Sequence, residues 1–442
     1  MHTHAWRWAL VDVAVVATVA LMTYLSIAVW QAGISDISIY AQYAHAFWLQ
    51  VPRFQRFPLE YPPLALLPFA LTLLAAPNPI VPFSCGMAVL VVALYVGMVR
   101  WSGRRAALIC LAYLLISEQA MLVSRFDIVP ALLTVGALWA AQRRHFGWAH
   151  VLLGLGVLVK LYPIFLVPLL LIAESRLLQQ EQSAIKSNWR RWLPHMAMLA
   201  RRVGTQCTVI GVGALLVWWR NPTSVLLPIT YAAHRPAQVE SLLATIAWFG
   251  SWFGMPLTQI FTFGSVNWIG PLPNSLLPWT LPTLALGCVL VYLWQWRGKM
   301  TLPTAFLAVL CVVLLTNRVF STQYLIWAVP FIALAEGLDL AWIVLCLLQV
   351  LVDIIYPYSI PHSTSADVQH FIMLVAVRNI VLLGVTVRLF VRDKQHSGVP
   401  IPEYPPMTVC QPRKHQELFE RNSPGNKRIN QCADSMVYSL IR

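Results

Sequence analysis

Charged residues are scarce in this sequence. Asp, Glu, Lys and Arg make up 11% of its 442 residues, whereas hydrophobic residues make up 58%. Because soluble domains usually carry roughly a quarter charged residues, the scarcity excludes an ordinary water-soluble domain. Apolar segments of membrane-spanning length recur between Trp8 and Arg392. We therefore predict an all-α, polytopic transmembrane helical bundle, with one membrane domain over residues 1 to 391.

Motifs for metals, nucleotides and disulfides are missing as well. The eight cysteines include no CxxC pair, and there is no DxD, no HExxH, no P-loop and no GxGxxG following a strand. Most of the cysteines lie inside apolar runs and are interpreted as small core residues. We expect no disulfide framework, no metal and no cofactor.

The positively charged residues are concentrated in particular loops. The net charge is +14 and the pI is near 9.7, but the basic residues form no continuous face of the kind that binds nucleic acid. The positive-inside rule instead predicts that these loops are cytoplasmic. They are residues 100 to 105, 143 to 144, 176 to 202, 297 to 299 and the chain beyond 392.

The two ends of the chain are predicted separately. The apolar segment 8 to 30 is too long and continuous for a signal peptide, so we expect an uncleaved first span. Residues 392 to 442 are rich in Pro, Asn, Gln and basic residues and lack periodicity. This composition predicts a disordered, basic cytoplasmic tail.

The apolar segments predict about 12 or 13 spans. Residues 61 to 99 hold two apolar pieces but must connect the outside to the inside, so one piece is expected to be re-entrant. Some spans are short, which indicates either a cavity or tilted helices in a locally thin membrane. The predicted segments are 8 to 30, 61 to 99, 106 to 122, 128 to 142, 148 to 160, 161 to 173, 203 to 220, 275 to 296, 302 to 316, 324 to 340, 341 to 356 and 370 to 391.

The first outer loop predicts a helix lying in the membrane interface. On a helix, its apolar residues form one stripe and its polar residues the other side. Asp36 stands just ahead of this helix. Its carboxylate is either the helix cap or a general base at the mouth of an outer cavity. The stripe consists of Ile37, Tyr40, Ala44, Phe47 and Trp48.

Two prolines mark the start of the next helix. Pro62 and Pro63 lack N–H groups, which the first turn of a helix does not need. They place Glu60 and Tyr61 at the boundary between water and lipid. Glu60 either favours the helix N-terminus electrostatically or borders the same cavity as Asp36.

Further charges follow at outer turns. Arg125 and Asp127 are either an ion pair with each other or two residues that line the cavity. Lys160, close to Tyr162 in "KLYP", has a strongly apolar context. It is expected either to extend its amine to the interface or to have an anionic partner.

The longest outer loop contains "YAAHRPAQVES". We predict that Pro236 begins a helix reaching about Gly250. Such a helix N-terminus beside His234 and Arg235 would bind phosphate. The first helical turn and the later segment "NRVFSTQY" add further polar candidates, which are Gln238, Glu240, Arg318, Gln323 and Tyr324.

Taken in order, these motifs resemble the family 87 glycosyltransferases of the GT-C superfamily, over roughly residues 8 to 391. The motifs are Asp36, "EYPPL" at 60 to 64, "SRFD" at 124 to 127, "GLGVLVKLYP" at 154 to 163, "HRPAQVES" at 234 to 241 and "NRVFSTQYLIWAVP" at 317 to 330. Members are integral membrane proteins that depend on a polyprenyl-phosphate sugar and resemble mannosyltransferases.

The resemblance implies a hexosyltransferase of the cell membrane. A sugar, typically mannose, would pass with inversion from a polyprenyl-phosphate donor to an extracytoplasmic glycolipid or glycan acceptor. By position, Asp36 matches the catalytic base, and "YPPL" matches a helix start beside the active site. Lys160, His234, Arg235 and Arg318 match positions for the carrier phosphate and the sugar. Many GT-C enzymes have paired acids in the first loop, whereas "SDIS" has one.

Two other classes share some of these features. A transporter or flippase of lipid-linked sugars would also need broken helices and boundary cations, but no internal repeat is evident and the polar residues cluster at outer loops. An O-antigen polymerase or ligase would fit a large outer loop rich in Arg and His. The combination of a first-loop Asp with "YPPL" favours the glycosyltransferase.

Overall fold

A computed structural model describes residues 5 to 31, 36 to 75, 77 to 119, 121 to 182, 192 to 359 and 365 to 391. These residues all lie in one compact unit, residues 1 to 399. The predicted tail, residues 392 to 442, lies outside the described residues.

The described chain is predominantly helical, as predicted. Its helices are α1 (Ala5–Gln31), α2 (Asp36–Trp48), α3 (Leu66–Phe69), α4 (Ile80–Ser102), α5 (Arg104–Ser117), α6 (Ile128–Gln142), α7 (Phe146–Val159), α8 (Val167–Gln182), α9 (Trp192–Arg220), α10 (Leu227–His234), α11 (Leu242–Ser251), α12 (Pro271–Leu276), α13 (Thr280–Trp296), α14 (Leu302–Thr316), α15 (Leu325–Ala335), α16 (Leu340–Ser359) and α17 (Ser365–Val391). Short 3₁₀ turns flank several of them.

Five of the described helical segments are long and apolar enough to cross a membrane by themselves. They are Trp6–Val29, Ile80–Ser102, Tyr162–Gln180, Pro271–Trp296 and Gln369–Val391. Helices α14 and α15 are shorter, and nearly all of their side chains are buried. These two apolar helices therefore form the centre of the bundle, surrounded by the others. The chain is a multi-pass membrane protein.

The basic connections meet at one end of the bundle. Arg104, at the start of α5, pairs with Asp12 of α1 at 3.0 Å. Arg202 of α9 pairs with Glu174 of α8 at 2.7 Å, and Arg388 near the end of α17 lies 2.9 Å from Asp339. From these contacts and the helix order, the C-terminal ends of α1, α5, α7, α9, α14 and α16 lie at the other end. We call that end the loop end.

The segment between α2 and α4 does not cross the bundle. Residues Pro63–Leu73 form three short pieces of 3₁₀ and α-helix, whereas crossing a bilayer about 30 Å thick takes about 20 helical residues. Because α4 runs from the loop end to the basic end, this segment begins and finishes at the loop end. It is the piece within residues 61 to 99 that was expected not to cross the membrane.

Helix α2 has the predicted stripe. Ile37, Tyr40, Ala44 and Phe47 are buried on one side of it. Tyr40 stacks on Phe69 of α3, with ring centroids 4.4 Å apart. The helix predicted for the first outer loop is thus confirmed, Trp48 being half-buried, while its place in the membrane interface stays a prediction. The prolines of "YPPL" begin the segment that carries Phe69.

The helix start predicted at Pro236 is wrong, whereas the predicted end near Gly250 agrees with the end of α11 at Ser251. Helix α10 ends at His234, and Arg235 is extended, with ψ of 134°, as expected for a residue before proline. Residues Ala237–Gln238 form strand β1, which pairs with β3 (Ser265–Ile269); β3 also pairs with β2 (Thr258–Thr262). Helix α11 starts after Ser241, whose hydroxyl accepts from the Ala244 N–H at 3.1 Å. The Ser241 cap and the pairing of β1 with β3 therefore place the helix start after Ser241, although proline is common at the first position of a helix.

Several predicted span starts were too late, and two of them are instructive. Helix α9 begins at Trp192 instead of 203, because the Arg202 guanidinium is neutralised by two bonds to Glu174 and can be buried. The segment predicted from 275 begins at Pro271 and is broken by a 3₁₀ turn at Leu277–Trp279.

Candidate functional site

A cavity of about 990 Å³ opens at the loop end of the bundle. Twelve of the fourteen residues selected from the sequence line it. They are Asp36, Glu60, Tyr61, Arg125, Lys160, Tyr162, Arg235, Gln238, Glu240, Arg318, Gln323 and Tyr324. Since they come from loops that are far apart in sequence, the fold brings two acidic residues of the first outer loop and four basic residues to one space.

Asp36 occupies the first turn of α2 and faces the cavity. Its carboxylate forms an ion pair with Arg125. A carboxylate in the first turn also suits the partial positive charge of a helix N-terminus. Asp36 therefore lies both at the helix terminus and in the cavity wall, and its role as a general base stays a prediction.

Arg125 and Asp127 are not paired with each other. Lys160 Nζ lies 2.5 Å from Asp127 Oδ1, which also accepts from Trp327 Nε1 at 2.7 Å. Asp127 is fully buried behind Lys160 and does not line the cavity. The anionic partner of Lys160 is therefore a protein carboxylate.

Aromatic rings enclose the Lys160 amine. Its nitrogen lies 4.7 Å from the ring centroids of both Tyr324 and Trp327, and 5.1 Å from that of Phe126. Trp327 in turn stacks on Tyr162 and Tyr324, each with centroids 4.2 Å apart. Cation–π attraction and the ion pair together hold the charge at one point of the cavity wall.

Glu60 is the second carboxylate of the first outer loop in the cavity. Tyr43 donates to its Oε1 at 3.4 Å. Burial raises the pKa of the Glu60 carboxyl, and the positive charges of Arg235 and Lys160 oppose that rise. Its pKa therefore lies closer to neutrality than that of an exposed glutamate.

Arg235 is held by the turn between β2 and β3. Its Nη2 donates to Ser265 Oγ at 2.9 Å and to the Phe263 carbonyl at 3.4 Å. Its buried Nε has no hydrogen-bond partner. Arg235 therefore has an unused donor in the cavity wall.

Arg318 connects several loops. Its guanidinium donates to the carbonyls of Ala233 at 2.7 Å and Leu277 at 3.3 Å. Burial lowers the pKa of this arginine. Arg318 adds positive charge to the cavity while it holds the ends of α10 and the turn before α13 together.

His234 does not line the cavity. It is exposed, and its Nδ1 contacts the Thr230 carbonyl at 2.7 Å within α10. The change of direction at Arg235 separates the two neighbours, which the predicted helix start would have kept together.

Other lining residues were not selected from the sequence. They include Tyr231, Ser265, Trp327 and Asp353. Asp353 lies in α16, inside "LQVLVDIIY", and an acidic residue within an apolar span is itself a signal of a functional position. The others have ordinary contexts in sequence and become recognisable only in the fold.

The rim of the cavity is partly apolar and exposed. Ile229 of α10, Phe261 of β2 and Leu281 of α13 line it and are 54%, 71% and 68% exposed. Most of the outer surface of α13 is exposed as well. In a membrane, such a surface is in contact with lipid, so an acyl or prenyl chain can lie against this side.

Glu240 is expected to make stability depend on pH. Burial raises the pKa of this carboxyl to about 7, although Arg378, Arg125 and Arg235 oppose the rise. The folded protein then binds more protons than the unfolded chain between about pH 4.5 and 7, so stability falls as pH rises through that window. We expect Glu240→Gln to reduce this fall. The measurement is the melting temperature of wild type, Glu240→Gln and the control Glu174→Gln across this pH window. If Glu240→Gln and wild type show the same dependence of melting temperature on pH, Glu240 is not the group responsible.

Among solved structures, the chain is similar to the crystal structure of ArnT from Cupriavidus metallidurans bound to undecaprenyl phosphate. The two chains share 16% identity, the match covers 87% of this chain and 77% of the other, and the TM-score is 0.43. No family model matches the sequence. No curated protein matches it either.

Within the described ranges, no group of three or more His, Cys, Asp or Glu side chains is arranged to hold a metal ion.

Proposed function

We propose that the protein is an integral membrane glycosyltransferase that uses a polyprenyl-phosphate sugar as donor. One observation carries the proposal: Asp36, Arg125, Lys160 and Arg235 line a single cavity whose rim is partly apolar. A carboxylate, fixed cations and a lipid-accessible side are the three things that such a transfer needs. The sugar is a hexose, with mannose as the first candidate from the resemblance to family 87.

The chemistry follows from charge. An acceptor hydroxyl attacks the anomeric carbon while the bond to the phosphate oxygen breaks, and the configuration inverts. Asp36 takes the hydroxyl proton. Negative charge develops on the departing polyprenyl phosphate, and Lys160 and Arg235 stabilise it. No covalent enzyme intermediate is required, and the products are the glycosylated acceptor and the free carrier phosphate.

The active site is proposed to face the extracytoplasmic side. The basic connections lie at the end of the bundle opposite the cavity, and such connections remain cytoplasmic by the positive-inside rule. The acceptor is then a glycolipid or glycan of the outer face. A Gly264→Cys variant carries its new thiol in the turn beside the cavity. A thiol reagent that cannot cross the membrane should label it when added outside intact cells.

The direct test is an assay of the purified full chain in nanodiscs. It would be supplied with prenyl-phosphate sugars, including mannosyl and glucosyl forms, together with membrane lipid extract, and the lipid products analysed by mass spectrometry. A new glycosylated lipid supports the proposal. In sealed proteoliposomes, movement of an intact lipid-linked sugar across the bilayer without a new product would indicate the transporter instead.

We expect Arg235→Ala to weaken use of the donor. Loss of a charge-assisted contact to phosphate should raise the donor KM or lower kcat/KM about tenfold or more. His234→Ala is the matched control, because this neighbour is exposed and lies outside the cavity. Equal kinetics for Arg235→Ala and His234→Ala would remove Arg235 from the donor site.

A further inference from the structure

Three buried oxygen atoms on one part of the cavity wall have no hydrogen-bond partner. They are Gln238 Oε1, Glu240 Oε1 and Asp353 Oδ2. Their side chains belong to residues that are 3%, 3% and 8% exposed, and all three line the cavity. We call these three residues the acceptor wall.

Neighbouring side chains already donate to these groups, and the Thr322 hydroxyl is one that bonds the Asp353 carboxyl. Gln238 Nε2 donates to Glu240 Oε2 at 2.5 Å and to Ser321 Oγ at 3.3 Å. Gln349 Nε2 donates to Asp353 Oδ1 at 3.1 Å. When the two carboxyl groups are ionised, the three oxygens without partners are all acceptors, and a group that satisfies them has to donate hydrogen bonds.

Arg378 supports the wall from behind. This fully buried residue of α17 donates from Nη2 to the Glu240 carbonyl at 2.5 Å and from Nη1 to Gln349 Oε1 at 3.1 Å. Its side chain also lies over the Phe320 ring, 4.0 Å from the centroid. The guanidinium thus supplies positive charge near the carboxyl groups without occupying the three oxygens that lack partners.

A phosphate does not fit this wall. Phosphate oxygens are acceptors and carry negative charge, so they repel the two carboxyl groups whenever these are ionised. Hydroxyl groups are different, since each can donate to one acceptor. A buried acceptor without a partner is unfavourable, so a polyhydroxylated ligand gains by supplying the missing donors.

We propose that the acceptor wall is the subsite for the hydroxyl groups of the donor's pyranose ring, with Asp353 as a further specificity-determining residue. The inference rests on the proposed function, because it divides one donor between two parts of the cavity. The sugar lies against the acceptor wall, and the carrier phosphate lies against Arg235 and Lys160.

The test compares the binding of two ligands to the full chain in nanodiscs. One is a short-chain prenyl phosphate, and the other is the same molecule carrying a mannosyl or glucosyl group. Binding is followed by native mass spectrometry. For Glu240→Gln and Asp353→Asn, we expect affinity for the glycosylated ligand to fall about tenfold, while affinity for the bare phosphate stays within about twofold.

The matched control is Glu118→Gln. Glu118 is fully buried and both its oxygens lack partners, but it does not line the cavity. We expect this variant to leave the ratio of the two affinities unchanged. Because Glu240 and Asp353 lie on different elements, failure of one variant to fold leaves the other as a test.

The outcomes separate the inference from the proposed function. If both wall variants keep the wild-type ratio of affinities, or if wild type gains nothing from either sugar, the acceptor wall is filled by water and the inference is wrong. If the wild-type protein shows the sugar-dependent gain but makes no glycosylated product, the proposed function fails and the sugar subsite stands.

Discussion

Asp36→Asn should lower the rate of sugar transfer by a factor of about 10² to 10⁴ while leaving the protein folded and inserted. This range is what a positioned general base typically contributes. The asparagine keeps the size of the side chain in the first turn of α2, but it cannot take a proton from the acceptor. The measurement is kcat with a prenyl-phosphate sugar, and the melting temperature establishes that the fold is retained.

Asp12→Asn is the control for this variant. Asp12 is another aspartate paired with an arginine, Arg104, but the pair lies at the basic end of the bundle. Its loss should leave kcat unchanged. Wild-type turnover by Asp36→Asn would remove Asp36 from its role, and Glu60 would become the candidate base.

Breaking the ion pair of Lys160 and Asp127 should have the largest effect on stability. Removing one partner of a buried ion pair typically costs about 3–5 kcal/mol, because the remaining charge is left uncompensated. Asp127 is fully buried and Lys160 is enclosed by rings. We therefore expect both Asp127→Asn and Lys160→Met to lower the melting temperature strongly.

The double variant Asp127→Leu with Lys160→Met separates packing from function. Replacing both charges by apolar groups of similar size removes the uncompensated charge, so much of the lost stability should return. Turnover should not return, because the ammonium that faces the cavity is gone. Recovery of turnover would show that Lys160 serves the fold alone.

Arg104→Gln is the comparison for the stability prediction. Because it breaks an exposed ion pair, it should lower the free energy of unfolding by at most about 1 kcal/mol.

Local chemistry explains the helices that were predicted well. The bounds of α6 and α14 coincide with the predicted segments 128 to 142 and 302 to 316, since each is an uninterrupted apolar run. The buried stripe of α2 follows from helical periodicity. These features depend on residues close in sequence, so the sequence is sufficient to predict them.

The region from 234 to 251 shows where local signals fail. "HRPAQVES" contains both a proline that could begin a helix and residues suited to a strand. Strand β3, about thirty residues later, pairs with Ala237–Gln238 and decides between them. The partner of a strand is a long-range contact, and no local propensity specifies it.

Composition and apolar periodicity alone determined that this chain is a helical membrane protein, because hydrophobic length and the distribution of basic residues act locally along the chain. Which charges pair was decided by the tertiary structure. Arg125 is two residues from Asp127, yet it pairs with Asp36, while Asp127 pairs with Lys160. Likewise, only the packing of α16 and α17 against the outer loop places Asp353 in the cavity, because the sheltered space that makes a buried acid usable exists only once the helices meet.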